Sequence, residues 1–171
     1  MSDQVSTVLG PVAERRVFGW GVRSEPIDQI VTYCRDIQLT RNVSGATDLD
    51  LADGFGALEQ DLRTALGTAL GADPLNTGFG FDGLRIVSEE TDRLLLRERL
   101  RGAVVQVLRA DPRVISVTRV LIGNEIAAYE AGSAAAPMPK GEYGVLAVQA
   151  AFRIIGGQEA TLTLGPILAG A

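Results

Sequence analysis

Histidine is absent from the 171 residues. That removes the commonest general base, the usual nitrogen ligand of zinc and every Ser-His or Cys-His arrangement. The single cysteine, Cys34, can neither close an intramolecular disulfide nor belong to a cysteine cluster. In the run Val31-Thr32-Tyr33-Cys34 it reads as a small core or edge residue. Aromatic residues make up only 5%, too few to supply the rings on which sugar-binding clefts rely. Lysine occurs once, at Lys140, and 21 acidic residues outweigh 16 basic ones for a formal net charge of -5. No global positive field is left to attract nucleic acid or an anionic membrane. No run of about 18 apolar residues occurs, and the polar start after Met1 lacks the apolar centre of about 7–15 residues found in a secretory leader. No membrane insertion and assembly in the cytoplasm are expected, so Asn42-Val43-Ser44 is an accidental glycosylation sequon.

What is present belongs to a globular chain. Hydrophobic residues at 46% and charged residues at 22% suffice for one core at this length. Residues 1–30 read as an N-terminal extension broken by Gly19, Gly21 and Pro26, and residues 31–171 as a single domain. A strand is predicted over 30–39, a turn at Asn42-Val43-Ser44-Gly45 and a shorter extended run over 49–52, the two runs forming an antiparallel pair. From Gly54 the period changes to that of a helix, with Leu58, Leu62, Ala65, Leu66, Ala69 and Leu70 on one face and Gly71 as its left-handed end. Residues 72–83, with Pro74, Gly78, Gly80 and Gly83, read as an irregular loop.

A second helix is predicted from Ser88, with Glu89 and Glu90 at its positive end, to Ala110, where Pro112 stops it. Leu96, Leu100, Ala103, Val104, Val107 and Leu108 form its buried stripe. Arg93, Arg97 and Arg101 recur on another side, which reads as a solvated face or as a clasp for an acidic partner. Val114 to Ile122 is a strand and 125–140 a flexible connection. Tyr143 to Ile155 is the longest strand, apolar on one face through Leu146, Val148, Ala150, Phe152 and Ile154, with Gln149 and Arg153 on the other. Gly156-Gly157 turns the chain into Thr161-Leu162-Thr163-Leu164. The expected class is α+β: two main helices on a small mixed or antiparallel sheet with a C-terminal β-hairpin.

None of the short motifs carries chemistry. Asp48, Asp50, Asp53 and Glu59 superficially follow a calcium loop, but Ala52 and Asp53 stand at the fifth and sixth positions, where a ligand and the turn glycine belong. The glycine-rich run 72–83 lacks a Gly-Lys-Ser/Thr ending, so it is neither a phosphate loop nor a dinucleotide fingerprint. Glu89, Glu90, Glu142 and Glu159 are the acids to inspect for carboxylate-pair hydrolysis. The first two are explained by a helix start and the others by strand-end solubility. No catalytic residue, metal ligand or cofactor is assigned, and a long strand with one apolar face is suited to pairing with another chain's edge.

The order of these features resembles one family. Asp48-Leu49 with Gly54 before the first helix, Gln60, the Leu66 to Gly71 helix end, Pro74-Leu75-Asn76 with Phe79-Gly80, and Asp111-Pro112-Arg113 carry the likeness. The chain is similar to the baseplate wedge protein of contractile phage tails, the sheath initiator, whose relatives serve type VI secretion and extracellular contractile injection particles. Asp111-Pro112-Arg113 stands where that family has Glu-Pro-Arg, which keeps the charge and shortens the reach by one methylene. The resemblance implies a structural, non-enzymatic protein present in six copies in the baseplate, where it meets wedge proteins, the sheath protein and the inner tube or hub. It places partner contacts at Asp111, Pro112 and Arg113 and along the C-terminal hairpin at Leu146, Val148, Gln149, Ala151, Arg153, Thr161 and Thr163. The rival readings are a carboxylate-dependent, lysozyme-like peptidoglycan hydrolase of a tail and a soluble adaptor of unrelated fold.

Overall fold

A computed structural model describes residues 10–27, 35–134 and 145–168. Cys34, Lys140, Glu142 and Tyr143 lie outside them. The first element is α1 (Pro11–Phe18), a helix with proline in its first turn, where a missing N–H costs no bond. It carries Phe18 into the core, where 3% of the residue stays exposed.

Three short two-stranded sheets follow. β1 (Trp20–Val22) pairs with β6 (Leu51–Asp53), β2 (Ser24–Pro26) with β3 (Arg35–Ile37), and β4 (Leu39–Arg41) with β5 (Thr47–Leu49), each antiparallel. The expected pair over 30–39 and 49–52 is therefore spread over three arms. They meet in a closed cycle of backbone bonds: Arg23 N–H donates to the Asp50 carbonyl at 2.8 Å, Gln38 N–H to that of Arg23 at 2.9 Å, and Asp50 N–H to that of Gln38 at 2.9 Å. Every strand leaves one arm and enters the next through one of these residues.

α2 (Gly54–Gly67) buries Ala57, Leu58, Leu62 and Leu66 at helical spacing. It ends before Gly71, the expected terminus, because Thr68 adopts extended geometry and its carbonyl accepts the Phe81 N–H at 2.7 Å. The parallel bridge Ala69↔Phe81 then draws the chain away from the helix, and Leu70 is left 46% exposed. The expected second helix is two: α3 (Gly83–Glu89) and α4 (Arg93–Ala110). Ser88 lies inside α3, its hydroxyl donating to the Arg85 carbonyl. The cap of α4 is Asp92, whose carboxylate accepts from Leu94 N–H at 2.8 Å and Leu95 N–H at 3.0 Å. Of two competing cap residues the acid wins, as its charge also meets the positive helix end.

β7 (Val114–Ile122) follows the Asp111-Pro112-Arg113 corner. A helix, α5 (Asn124–Glu130), then occupies part of what the sequence suggested was a flexible connection. Gly123, at φ 59, reverses the chain before it. β8 (Val145–Ile154) and β9 (Glu159–Leu168) complete an antiparallel sheet in the order β7-β8-β9. Val148, Ala150, Phe152 and Ile154 join Val120, Ile122, Leu162 and the leucines of α2 and α4 in one core. The described residues thus combine five helices with four small antiparallel sheets. None of these helices is long and apolar enough to cross a membrane.

Candidate functional site

Proline 112 ends α4 as its chemistry requires, and the flanking charges shape the corner. Asp111 Oδ1 accepts from the Arg113 backbone N–H at 2.9 Å and from its Nε at 2.8 Å, while Oδ2 takes Nη2 at 2.6 Å. The same guanidinium donates to Asp61 of α2 at 2.8 Å and to the Phe18 carbonyl at the end of α1 at 2.5 Å. One side chain therefore fastens α1, α2, the end of α4 and the start of β7. Burial opposes ionisation of Asp111, but the Arg113 bonds outweigh it and hold the carboxyl below the usual range. The Asp111 bond in turn raises the already high pKa of Arg113, against the cost of burial.

Beside this corner lies a groove of about 620 Å³. Ala65 of α2, Val107 and Ala110 of α4, Phe79 and Gly80 of the 68–82 turn, and Asp111-Pro112-Arg113 all line it. Two motifs singled out in the sequence, Phe79-Gly80 and Asp111-Pro112-Arg113, are thus brought to one place. Small side chains on the facing helices keep the groove open.

The hairpin residues separate into two groups. β8 lies between β7 and β9, so its backbone is engaged on both sides, and Val148 and Ala151 are buried. A pairing role for Leu146, Val148, Gln149, Ala151 and Arg153 through the backbone of β8 is therefore corrected: strand order, which alternation does not encode, puts β8 at the centre and leaves β7 and β9 as the two edges among the described strands. The Ile154 N–H bond to the Gln158 carbonyl sets the phase of the ladder. Counting by two, Phe152–Ala160, Ala150–Leu162 and Val148–Leu164 are the bonded pairs. The amides and carbonyls of Glu159, Thr161 and Thr163 consequently point away from β8, along an edge that no described strand covers. Pro166 lies in β9 opposite the register shift between Leu146 and Val148, a position that an edge strand tolerates.

Two arginines of the α4 stripe, Arg97 and Arg101, are clasped within the chain and not left to solvent or to a partner. Arg97 reaches Glu125 of α5 at 3.2 Å and Arg101 reaches it at 2.9 Å, and Arg101 also donates to the Val120 carbonyl. Burial works against ionisation of Glu125, yet the Ile122 N–H and Arg101 overcome it and lower its pKa. The sequence offered Glu125 only as part of a loop, so the clasp within the chain was missed. Of the acids considered for hydrolysis, Glu89 and Glu90 pair with Arg99 at 2.9 and 3.5 Å, and Glu159 accepts from the Thr118 hydroxyl at 3.0 Å. None of these three lines the groove, and Glu142 lies outside the described residues. Asp48 and Asp50 accept the backbone N–H of the residue after each.

The lowered carboxyls of Asp111 and Glu125 make stability depend on pH in a known direction. A group whose folded pKa lies below its unfolded value contributes fully above the unfolded value and loses its contribution as pH falls through the folded one. Stability is therefore expected to fall from about pH 5 towards about pH 2, and Asp111→Asn should be weaker at neutral pH with a shallower acid loss. Urea unfolding at a series of pH values checks this. Parallel curves for the two proteins would show that Asp111 does not contribute through its charge.

No protein-family model matches the chain, and no curated protein matches it.

Proposed function

We propose that the chain is a structural baseplate component that joins the wedge to the first sheath ring of a contractile injection machine and templates sheath polymerisation by strand pairing. The observation that carries this reading is the edge of β9 that no described strand covers, with three residues presenting backbone donors and acceptors outward and uncharged threonine at two of them. Strands left so open in a folded protein are templates for another chain. Each added ladder bond contributes about 0.5–1.5 kcal/mol net. Several edges held in one ring gain through effective concentration what a lone edge lacks. The order read from the sequence, two main helices on a sheet that ends in a hairpin, suits this role because α2 and α4 support the sheet and leave β9 at its rim. The groove beside Asp111-Pro112-Arg113 supplies a separate face for a wedge protein, so the two partners do not compete.

Thr163→Pro tests the reading, since it deletes an outward N–H and no bond to β8. Baseplates carrying this variant should build tube but no sheath, while circular dichroism and thermal melting of the purified protein stay close to those of the parent. Leu162→Pro, which removes a ladder bond, is the unfolding control. Sheaths of normal length growing on baseplates that carry folded Thr163→Pro would sink the strand-template mechanism.

A further inference from the structure

The three-armed sheet carries a surface used by neither the groove nor β9. Alternation along its strands, carried through Arg23, Gln38 and Asp50, sets Trp20, Val22, Ile37, Leu39, Leu49 and Leu51 on one face. The registers agree, with Val22 opposite Leu51 and Leu39 opposite Leu49. The other face turns Ala52, 4% exposed, into the protein, and the Gln60 side chain of α2 ties the sheet down through Val22 and Ser24. On the outer face Trp20 and Leu39 are each 62% exposed and Ile37 56%. Isolated exposed apolar residues are ordinary, but a contiguous set on one face marks an interaction surface.

Charge is sorted between the two faces. Arg41 shares the parity of Leu39, and the Arg15 guanidinium lies 5.5 Å from the Trp20 ring centre, whereas Arg35 is held within its own arm, donating to the Ser24 hydroxyl at 3.0 Å and to the Ser24 carbonyl. Neither Arg15 nor Arg41 forms an ion pair among the described residues, whereas Arg23, Arg63 and Arg113 do. The acids of the sheet, Glu25, Asp36, Asp48 and Asp50, take the opposite parity, leaving Asp53 as the one carboxylate on the apolar side. An apolar centre rimmed by unpaired arginines, in a protein of net charge -5, is complementary to an apolar stripe flanked by carboxylates.

We propose that this face docks an acidic amphipathic helix of another protein, its apolar stripe lying on Leu39, Leu49, Leu51 and Trp20 and its carboxylates meeting Arg15 and Arg41. A second copy is a poor occupant, because a twofold contact would bring these arginines against their own equivalents. An extended anionic lipid surface would be opposed by the overall net charge of -5. The proposal is independent of the sheath reading.

Trp20 is the sole tryptophan, so its fluorescence in the full chain reports the face directly. The probe is a synthetic helix of about five turns with leucines at i, i+3, i+4 and i+7 and glutamates beside them. Saturable binding with a blue shift is expected. Arg15→Glu with Arg41→Glu should weaken it by about 10-fold or more, Leu39→Ser with Leu49→Ser should remove it, and unfolding curves should stay unchanged since these positions are exposed. Equal binding of a peptide with lysine in place of glutamate would overturn the proposal, as would no shift with the acidic peptide. A shift produced instead by phosphatidylglycerol vesicles, or by raising protein concentration with a dimer seen in sedimentation, would overturn it in favour of lipid or of a second copy.

Discussion

Arg113→Ala is expected to lower folding stability by about 2–4 kcal/mol, a little below the loss from breaking a fully buried ion pair because Asp61 remains 57% exposed. The side chain is 19% exposed and Asp111 14%, so its removal leaves a carboxylate with little access to water. The Phe18 carbonyl loses its donor in the same step. Arg113→Lys should recover only part of the loss, because a point charge cannot address Asp111, Asp61 and Phe18 in one plane as the guanidinium fork does. The double variant Arg113→Ala/Asp111→Ala should be more stable than the sum of the two single losses implies, since it no longer strands the acid. Chemical unfolding of the parent and the four variants measures all of this. Strict additivity would show that Arg113 acts through its own packing and not through the pair.

That corner shows how far the sequence could be read. Pro112 as a stop and Asp111 and Arg113 as local anchors follow from neighbouring residues, and so does the apolar stripe of α4. Asp61 and Phe18 stand 52 and 95 residues from Arg113, and nothing local points to them. The same limit explains the arms of the small sheet. β1 pairs with β6 and β2 with β3, partners chosen by the junction at Arg23, Gln38 and Asp50 and not by any turn signal. Thr161 and Thr163 were identified with the hairpin, and the structure places them on its free edge. The residues of β8 were not separable from them until strand order was known, because alternation tells which face a side chain takes and is silent about neighbours. Errors at helix ends have a different origin. Ser88 and Asp92 both have the chemistry of a cap, as Gly71 has that of a terminus, and tertiary bonds to Thr68 and Phe81 decided the second case.

Gly80→Ala is expected to cost about 2–5 kcal/mol, with backbone strain and overpacking acting together. Gly80 has φ +113, a conformation that residues with a side chain rarely adopt. An added Cβ would stand 2.7 Å from the Thr68 carbonyl oxygen and 2.8 Å from that of Ala69. Both obstacles are backbone, so no side-chain rotation relieves them. The chain must open where Phe81 N–H meets the Thr68 carbonyl and Leu70 N–H meets that of Phe81. Phe81, 6% exposed, would be drawn out of the core with it. Gly78→Ala is the internal control: it lies in the same turn, has no positive φ, and its Cβ would come no nearer than 3.9 Å to Asn76 Oδ1. A functional consequence follows from geometry, since Phe79 and Gly80 form one wall of the groove beside Asp111-Pro112-Arg113. Under the proposed baseplate role, Gly80→Ala should therefore impair incorporation into baseplates at temperatures where the isolated protein is still folded, and Gly78→Ala should not. Equal thermal midpoints for the two alanine variants would mean that the 68–81 bridge yields without loss, and the groove would then lack the rigid wall assigned to it.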